Sequence, residues 1–312
     1  MGMQTNKVIL VAGGDLRQRY AAQKLAELPG WTVQAAGFVP DALENSGVVC
    51  CREELDDAVP YDVLVLPIPA STDGVTVQAP FGKHPLSLTA LAEHGNPGAL
   101  VLGGQCSEAV EHCFTAVGME TEDYLKREEL CLSNAVPTAE GAIQIAMEET
   151  ASTLDGGTAL IVGYGRIGMA LAQRLRGLGM TVNVCARRCE TRALAVMQGC
   201  GAMPMMELEQ AAAKSTLVLN TVPALVLTEQ VLKALPADSL VIDLASRPGG
   251  TDFTAAKKLG IRVVWALSLP PGMRCWHRKS VENTVEKGLK LGIYALNCEK
   301  ATKMGIISRQ EF

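Results

Sequence analysis

The chain has 312 residues, more than one hydrophobic core usually fills, so two domains are expected. Hydrophobic residues make up 48% and aromatics only 4%, a balance that fits an α/β protein rich in Ala, Val, Leu and Gly and excludes a disordered chain. With 28 Lys and Arg against 33 Asp and Glu the net charge is −5, and no basic stripe alternates with aromatics, which argues against nucleic acid as a partner.

The apolar runs are too short to cross a bilayer, and Lys7 precedes a strand rather than a signal-peptide core. A cytoplasmic protein with no membrane partner is the expectation. The 10 cysteines include no CxxC pair, and the 4 histidines, His84, His94, His112 and His277, stand alone. Neither a metal site nor a hydrolase triad is expected, and the cysteines read as reduced thiols.

Lys7–Ala12 reads as a buried strand that enters Gly13-Gly14-Asp15-Leu16-Arg17, followed by a helix over 18–28 and a strand over 31–34. The order is that of a dinucleotide-binding unit, but Arg17 stands where the third glycine belongs and its long side chain blocks a close helix approach. This first domain is expected to keep a doubly wound sheet and to bind something other than a dinucleotide. Asp15 and Arg17 then lie at the mouth of its site; an exposed helix cap and a surface arginine are the alternative.

The strand over 62–66 is stopped by Pro67 and Pro69, and residues 70–84, with Ser71, Thr72, Asp73, Gly74 and Lys83, read as a mobile flap over a ligand. A strand over 99–103 ends in Gly103 and Gly104, placed to bring backbone near a substrate. A further strand over 130–134 is expected to break at Pro137, with a hinge helix running from there to about 153.

The second half opens on the most informative segment. The strand Ala159-Leu160-Ile161-Val162 runs into Gly163-Tyr164-Gly165-Arg166-Ile167-Gly168, then a helix over 169–178 and a strand over 181–185. Gly163 suits the tight turn, Gly165 the approach of a pyrophosphate to a helix N-terminus, and Gly168 close packing of helix on strand. An Asp or Glu about 20 residues past the glycines usually accepts from the ribose hydroxyls of NAD. Here Ala186-Arg187-Arg188 fills that place, with Arg192 one turn on, and guanidinium forks suit a 2′-phosphate, so NADP is expected. A solvated loop is the alternative reading of those arginines.

Beyond Arg192 the pattern gives a helix over 192–198, a strand-like turn over 202–204 and an amphipathic stretch over 206–213. Strands over 216–220 and 240–246 end in Thr221-Val222-Pro223 and Arg247-Pro248-Gly249-Gly250. In a parallel sheet both ends share an edge with the glycine loop, so Asn220, Thr221, Asp243 and Ser246 line the nicotinamide ribose, unless they are helix caps.

Taken together, Gly13-Gly14-Asp15-Leu16-Arg17, Pro137-Thr138-Ala139-Glu140-Gly141, the Gly163–Gly168 run, Asn220-Thr221-Val222-Pro223 and Asp243-Leu244-Ala245-Ser246-Arg247-Pro248-Gly249-Gly250 resemble the dipicolinate synthase A-subunit family of spore-forming bacteria, over about 7–270. The resemblance implies two doubly wound α/β domains, the second a Rossmann NADP-binding domain like that of formate and glycerate dehydrogenases. It implies NADP-linked oxidation of a dihydrodipicolinate-level heterocycle from the lysine pathway to the dipicolinate of spores. The implied partner is the flavoprotein-like dipicolinate synthase B subunit; a homo-oligomer is also expected. The expected division is 1–136 for the substrate domain, 137–153 for the hinge helix, 154–272 for the cofactor domain and 273–312 for a terminal helix and tail packing on the first domain.

Cations for a dicarboxylate substrate are then Arg17, Lys83 and Arg247, with Ser71 beside them, and Asp15 or Asp243 is the base. The cofactor residues are Gly163, Tyr164, Gly165, Arg166, Ile167, Gly168, Arg187, Arg188, Asn220, Thr221, Val222, Pro223, Asp243 and Ser246. After Leu269-Pro270 the sequence departs from the family, where a Gly-Lys-x-Ala-Pro-like turn is expected, although Val281, Val285, Leu289 and Ile293 keep a helical spacing over 280–297. Two other readings stay open: a plain NADP-dependent 2-hydroxyacid dehydrogenase, and a non-catalytic nucleotide-sensing subunit.

Overall fold

Each strand of Lys7–Ala12 type is apolar on both faces, which suits a sheet covered by helices on both sides. The computed structural model describes residues 7–39, 43, 46–50, 55 and 60–267, and the expected terminal helix and tail lie outside them. The described residues fall into two compact units, and the chain passes from one to the other between Cys131 and Leu132.

In the first unit the strands are β1 (Lys7–Ala12), β2 (Trp31–Ala36), β3 (Val49–Cys50), β4 (Tyr61–Val65), β5 (Thr76–Val77), β6 (Leu86–Ser87), β7 (Gly95–Gly103) and β8 (Glu120–Asp123). Its helices are α1 (Leu16–Leu25), α2 (Leu88–His94) and α3 (Glu108–Thr115). Six strands form a parallel sheet in the order β3-β2-β1-β4-β7-β8. Along β1 the side chains alternate between two cores, Val8, Leu10 and Ala12 on one face and Ile9 and Val11 on the other.

The second unit repeats the plan with β9 (Thr158–Val162), β10 (Thr181–Cys185), β11 (Gly201–Met203), β12 (Leu217–Asn220), β13 (Leu240–Asp243) and β14 (Arg262–Trp265). These pair in parallel as β11-β10-β9-β12-β13-β14. Five helices accompany them: α5 (Arg166–Gly177), α6 (Cys189–Met197), α7 (Leu208–Ala212), α8 (Glu229–Ala234) and α9 (Phe253–Leu259). Ala159 and Ile161 face one core, Leu160 and Val162 the other. In both sheets the order reverses once, between β1 and β4 and between β9 and β12, and such switch points open a crevice at the carboxyl ends of the strands.

The strand expected over 130–134 is instead part of α4 (Glu128–Glu149), which carries Pro137 inside it. Buried Leu130, Ala135, Ala139, Ala142 and Ala146 recur at helical spacing, and the helix continues through the proline because packing of that apolar face outweighs one lost amide donor. The passage between units therefore falls within α4, ahead of Pro137. The segment read as a mobile flap is also tied down. Asp73 Oδ1 accepts from the amides of Val75 and Thr76, both at 2.8 Å, and β5 pairs antiparallel with β6.

Candidate functional site

Register places the loops of the second unit on one edge. Val162 pairs with Cys185 and Asn220, and Asn220 with Asp243, so Gly163, Ala186, Thr221 and Leu244 all leave the sheet at the same end.

The three glycines meet three different surroundings. Gly163 has φ +89°, and a Cβ there would lie 2.5 Å from Thr221 Oγ1, so only glycine lets the turns after β9 and β12 close together at the switch point. A Cβ on Gly168 would lie 2.5 Å from the carbonyl oxygen of Gly163, so glycine sets how near α5 comes to the turn. At Gly165 a Cβ would meet nothing within 4 Å. Gly165 is also the N-cap of α5 and offers no side-chain acceptor, so the first-turn amides of this 12-residue helix lack a side-chain cap. Such an end favours an anion, and the residues fit a dinucleotide pyrophosphate.

Tyr164 takes another part than the one expected of it. Its ring is 7% exposed and sits in the core with Leu171, Leu175 and Ala195, and its hydroxyl donates to Gln198 Oε1 at 2.5 Å. Burial pushes the phenol up to about 12. Only the Tyr164 backbone is left for a ligand. Arg166 is exposed and Ile167 half-buried on the first turn of α5.

Arg187 and Arg188 are exposed, and Arg188 is the N-cap of α6 without a side-chain cap bond. Arg192 does not stand free as a third phosphate fork. Its Nη1 donates to the carbonyls of Ala186 and Arg187 at 2.9 and 2.7 Å, bracing the turn that displays the other two arginines.

Asp243 departs furthest from expectation. It is fully buried and accepts four hydrogen bonds: Asn220 Nδ2 and Ala245 N on Oδ1, Gly250 N and Thr251 Oγ1 on Oδ2, at 2.7–3.0 Å. Four donors fill a carboxylate's capacity. Asp243 thus stitches together the turns after β12 and β13, and its geometry is that of a scaffold rather than of a base. Asn220, also fully buried, completes the stitch by donating to Val222 O and accepting from Val222 N, both at 3.1 Å. Thr221 Oγ1 donates to Val162 O at 2.9 Å, while Pro223, Ser246 and Arg247 are exposed.

In the first unit Val11 pairs with Val65, Val65 with Leu102 and Gly103 with Asp123, which again gathers the following turns on one edge. Asp15 caps α1, accepting from Arg17 N at 2.9 Å, and its carboxylate also takes Arg17 Nε at 3.0 Å and Nη2 at 2.8 Å. Arg17 Nη2 reaches Ile68 O at 3.4 Å, so the pair spans the switch point from the β1 turn to the β4 turn. Next to it, Gln18 is 8% exposed, and among the described residues its Nε2 meets no hydrogen-bond partner.

Gly103 and Gly104 serve packing rather than substrate approach. A Cβ on Gly104 would lie 2.3 Å from Ile68 Cγ1 and 2.8 Å from the Tyr124 ring. Tyr124 is raised above the usual phenol range by burial and donates to Leu66 O at 2.9 Å. Cys106 is pushed up to about 12, by burial and then by nearby Asp123, and is an inert thiol. Ser71 Oγ is held inside the Asp73 turn, donating to Asp73 Oδ1 and accepting from Gly74 N, each at 2.9 Å, which takes it out of the expected substrate set. Lys83 is exposed between β5 and β6. Among the described residues no group of three or more His, Cys, Asp and Glu is arranged to hold a metal ion.

Residues 8–125 match the family described as the N-terminal domain of the dipicolinate synthase A subunit, and 134–245 match the D-isomer specific 2-hydroxyacid dehydrogenase NAD binding domain. The dipicolinate synthase A subunit of Bacillus subtilis (strain 168) is 31% identical over 274 residues, 86% of this chain and 90% of that one. The crystal structure of the dipicolinate synthase A subunit from Bacillus halodurans, 29% identical, superposes with TM-score 0.81 over 94% of this chain and 99% of that one. The B. subtilis A-chain structure, 28% identical, also gives 0.81, over 95% and 98%. Two doubly wound units, a glycine turn shaped for a nicotinamide dinucleotide and these matches agree: the chain belongs to the dipicolinate synthase A-subunit family and is an oxidoreductase-like subunit.

Proposed function

We propose that the chain is an NADP-dependent dehydrogenase that oxidises a dihydrodipicolinate-level heterocycle to dipicolinate, working with a dipicolinate synthase B subunit. The observation that carries the cofactor reading is the open space over Gly165 at the uncapped start of α5, with exposed Arg187 and Arg188 at the uncapped start of α6 on the neighbouring strand. No Asp or Glu stands at the end of β10 to accept from a free 2′-hydroxyl, which supports a phosphate there.

Bound there, NADP supplies the hydride acceptor. The α5 amides would hold the pyrophosphate, the two arginines the 2′-phosphate, and Thr221 and Ser246 would lie toward the nicotinamide ribose. Asn220 and Asp243 keep those turns in place. In the first unit Arg17 and Lys83 are the cations offered to a dicarboxylate, and in the second Arg247 is the exposed cation beside the turn after β13. Oxidation of the ring releases one hydride, which a bound dinucleotide would accept, and one proton, for which Asp15 would be the acceptor in the first unit. Aromaticity of the product favours the step, so the chain's main task is orientation.

The relatives are named as one subunit of a synthase, which supports a B partner. A cytoplasmic homo-oligomer completes the reading; no described helix is long and apolar enough to cross a membrane. The test follows nicotinamide absorbance on mixing the protein, NADP and the dihydrodipicolinate-level substrate, with and without the B subunit. NADP reduction faster than NAD reduction supports the proposal. Turnover of a simple 2-hydroxy acid instead marks a 2-hydroxyacid dehydrogenase, and tight NADP binding without turnover in either condition marks a sensing subunit.

A further inference from the structure

In the first unit the strand order reverses between β1 and β4, and the turns after these two strands meet at Gly14 and Pro67. Gln18 lies across that meeting point. A Cβ on Gly14 would come 2.6 and 2.4 Å from Gln18 Cβ and Cγ, with Pro67 Cβ next at 3.1 Å. Side chains in a first helical turn run back toward the helix N-terminus, so the Gln18 stem passes over Gly14 toward the carboxyl edge of the sheet. The side chain is 8% exposed, and among the described residues its amide nitrogen has no partner. Of its neighbours, Asp15 and Arg17 hold each other, and Gly14 N donates to Gln78 O at 2.7 Å.

We propose that Gln18 is a specificity-determining residue whose Nε2 donates a hydrogen bond to a carboxylate oxygen of the substrate, at the switch point between β1 and β4. This rests on the reading of the first unit as the dicarboxylate-binding domain. The orphaned atom is a donor, so the ligand brings an acceptor. The α1 N-terminus is already capped by Asp15, but the partly exposed guanidinium of Arg17 favours an acceptor with negative charge. A carboxylate oxygen that reaches Nε2 supplies the acceptor that the described residues do not. Ligands lacking the carboxylate at this position are therefore rejected.

The experiment titrates the full-length protein, saturated with NADP, with pyridine-2,6-dicarboxylate by calorimetry, comparing wild type with Gln18→Leu and Gln18→Glu. Gln18→Leu keeps the volume and removes the donor; Gln18→Glu keeps the shape and sets a negative charge against the carboxylate. The dissociation constant should rise roughly tenfold in the first variant and further in the second, with NADP affinity unchanged. Turnover should show a raised KM at retained kcat. Circular dichroism and Tm identify a variant that fails to fold, in which case the other decides. Folded variants that bind the dicarboxylate like wild type overturn the proposal. If wild type binds NADP and not pyridine-2,6-dicarboxylate, the substrate reading of the first unit falls, and this assignment with it.

Discussion

The hydroxyl of Tyr164 donates to Gln198 Oε1 at 2.5 Å, so the residue between the first two glycines of the dinucleotide turn is bolted to the C-cap of α6. Arg176 of α5 adds a second tie to the same place through Gln198 O. Removing the hydroxyl in Tyr164→Phe keeps the ring in its core and frees the turn. NADP and NAD should each bind several-fold more weakly, by the same factor, since one hydrogen bond contributes about 0.5–1.5 kcal/mol. Burial, rather than the bond to Gln198, also gives the phenol a signature in pH: its folded value of about 12 lies above the unfolded value of about 10. The stabilisation is thus full below about pH 10 and is lost as pH rises through 12. Urea melts of both proteins between pH 8 and 12 should converge at the alkaline end; a constant gap there excludes Tyr164 as the source.

Gly165 and Gly168 should respond to the same substitution in opposite ways. Gly165→Val adds atoms where the protein has none within 4 Å, so Tm should hold while dinucleotide binding is lost. Gly168→Val forces atoms onto a backbone carbonyl 2.5 Å from the Cβ position, so Tm itself should fall. Thermal melts and fluorescence titrations on the pair decide it. A folded Gly165→Val protein with wild-type NADP affinity would remove the pyrophosphate site from that turn.

Much of this was written in local pattern. The strands β1, β4 and β9 announce themselves as apolar runs followed by glycine or proline, and the Gly163–Gly168 spacing carries its own geometry. What escaped was whatever depends on distant partners. Asp243 looks like a site residue because it is polar and ends a strand, and Ser71 because it lies in a polar loop; burial of Asp243 among four donors is a tertiary fact, while Ser71 is held by the Asp73 turn. Pro137 reads as a break locally, yet the apolar face of α4 overrides it. Gln18 carries no signal at all, being an ordinary residue in an ordinary first helical turn until its missing partner is seen.

The 2′-phosphate assignment rests on Arg187 and Arg188. Replacing both with Ala should weaken NADP by roughly 100-fold or more and NAD by only a few-fold, since charge-assisted bonds are worth about 1.5–3 kcal/mol each. Arg192→Ala, which lets the brace on Ala186 and Arg187 go, should give a milder change in the same direction. Equal losses for both cofactors in the double variant count against NADP preference.

Asp243→Asn separates a scaffold from a base. An amide NH2 would face two of the four donors now held by the carboxylate, an unfavourable contact costing a few kcal/mol in a site with no exposure. The expected outcome is a lower Tm with weaker binding of both dinucleotides. A base would show otherwise, in a variant that melts and binds like wild type while kcat collapses.

Arg17 and Asp15 hold each other by Nε at 3.0 Å and Nη2 at 2.8 Å, and both are partly open to solvent, at 32% and 24%. A substrate carboxylate arriving at this edge competes with Asp15 for the same guanidinium. Arg17→Ala removes the cation and should raise KM roughly 10- to 100-fold, with NADP affinity untouched because the dinucleotide turn lies in the other unit. Asp15→Asn releases the guanidinium and should lower KM. If Asp15 also takes the ring proton, kcat in that variant should fall about 10²–10⁴-fold, the usual contribution of a general base. Steady-state kinetics on the two variants read these effects apart. A lower KM at full kcat assigns Asp15 only the holding of Arg17, while unchanged kinetics in Arg17→Ala moves the carboxylate site elsewhere.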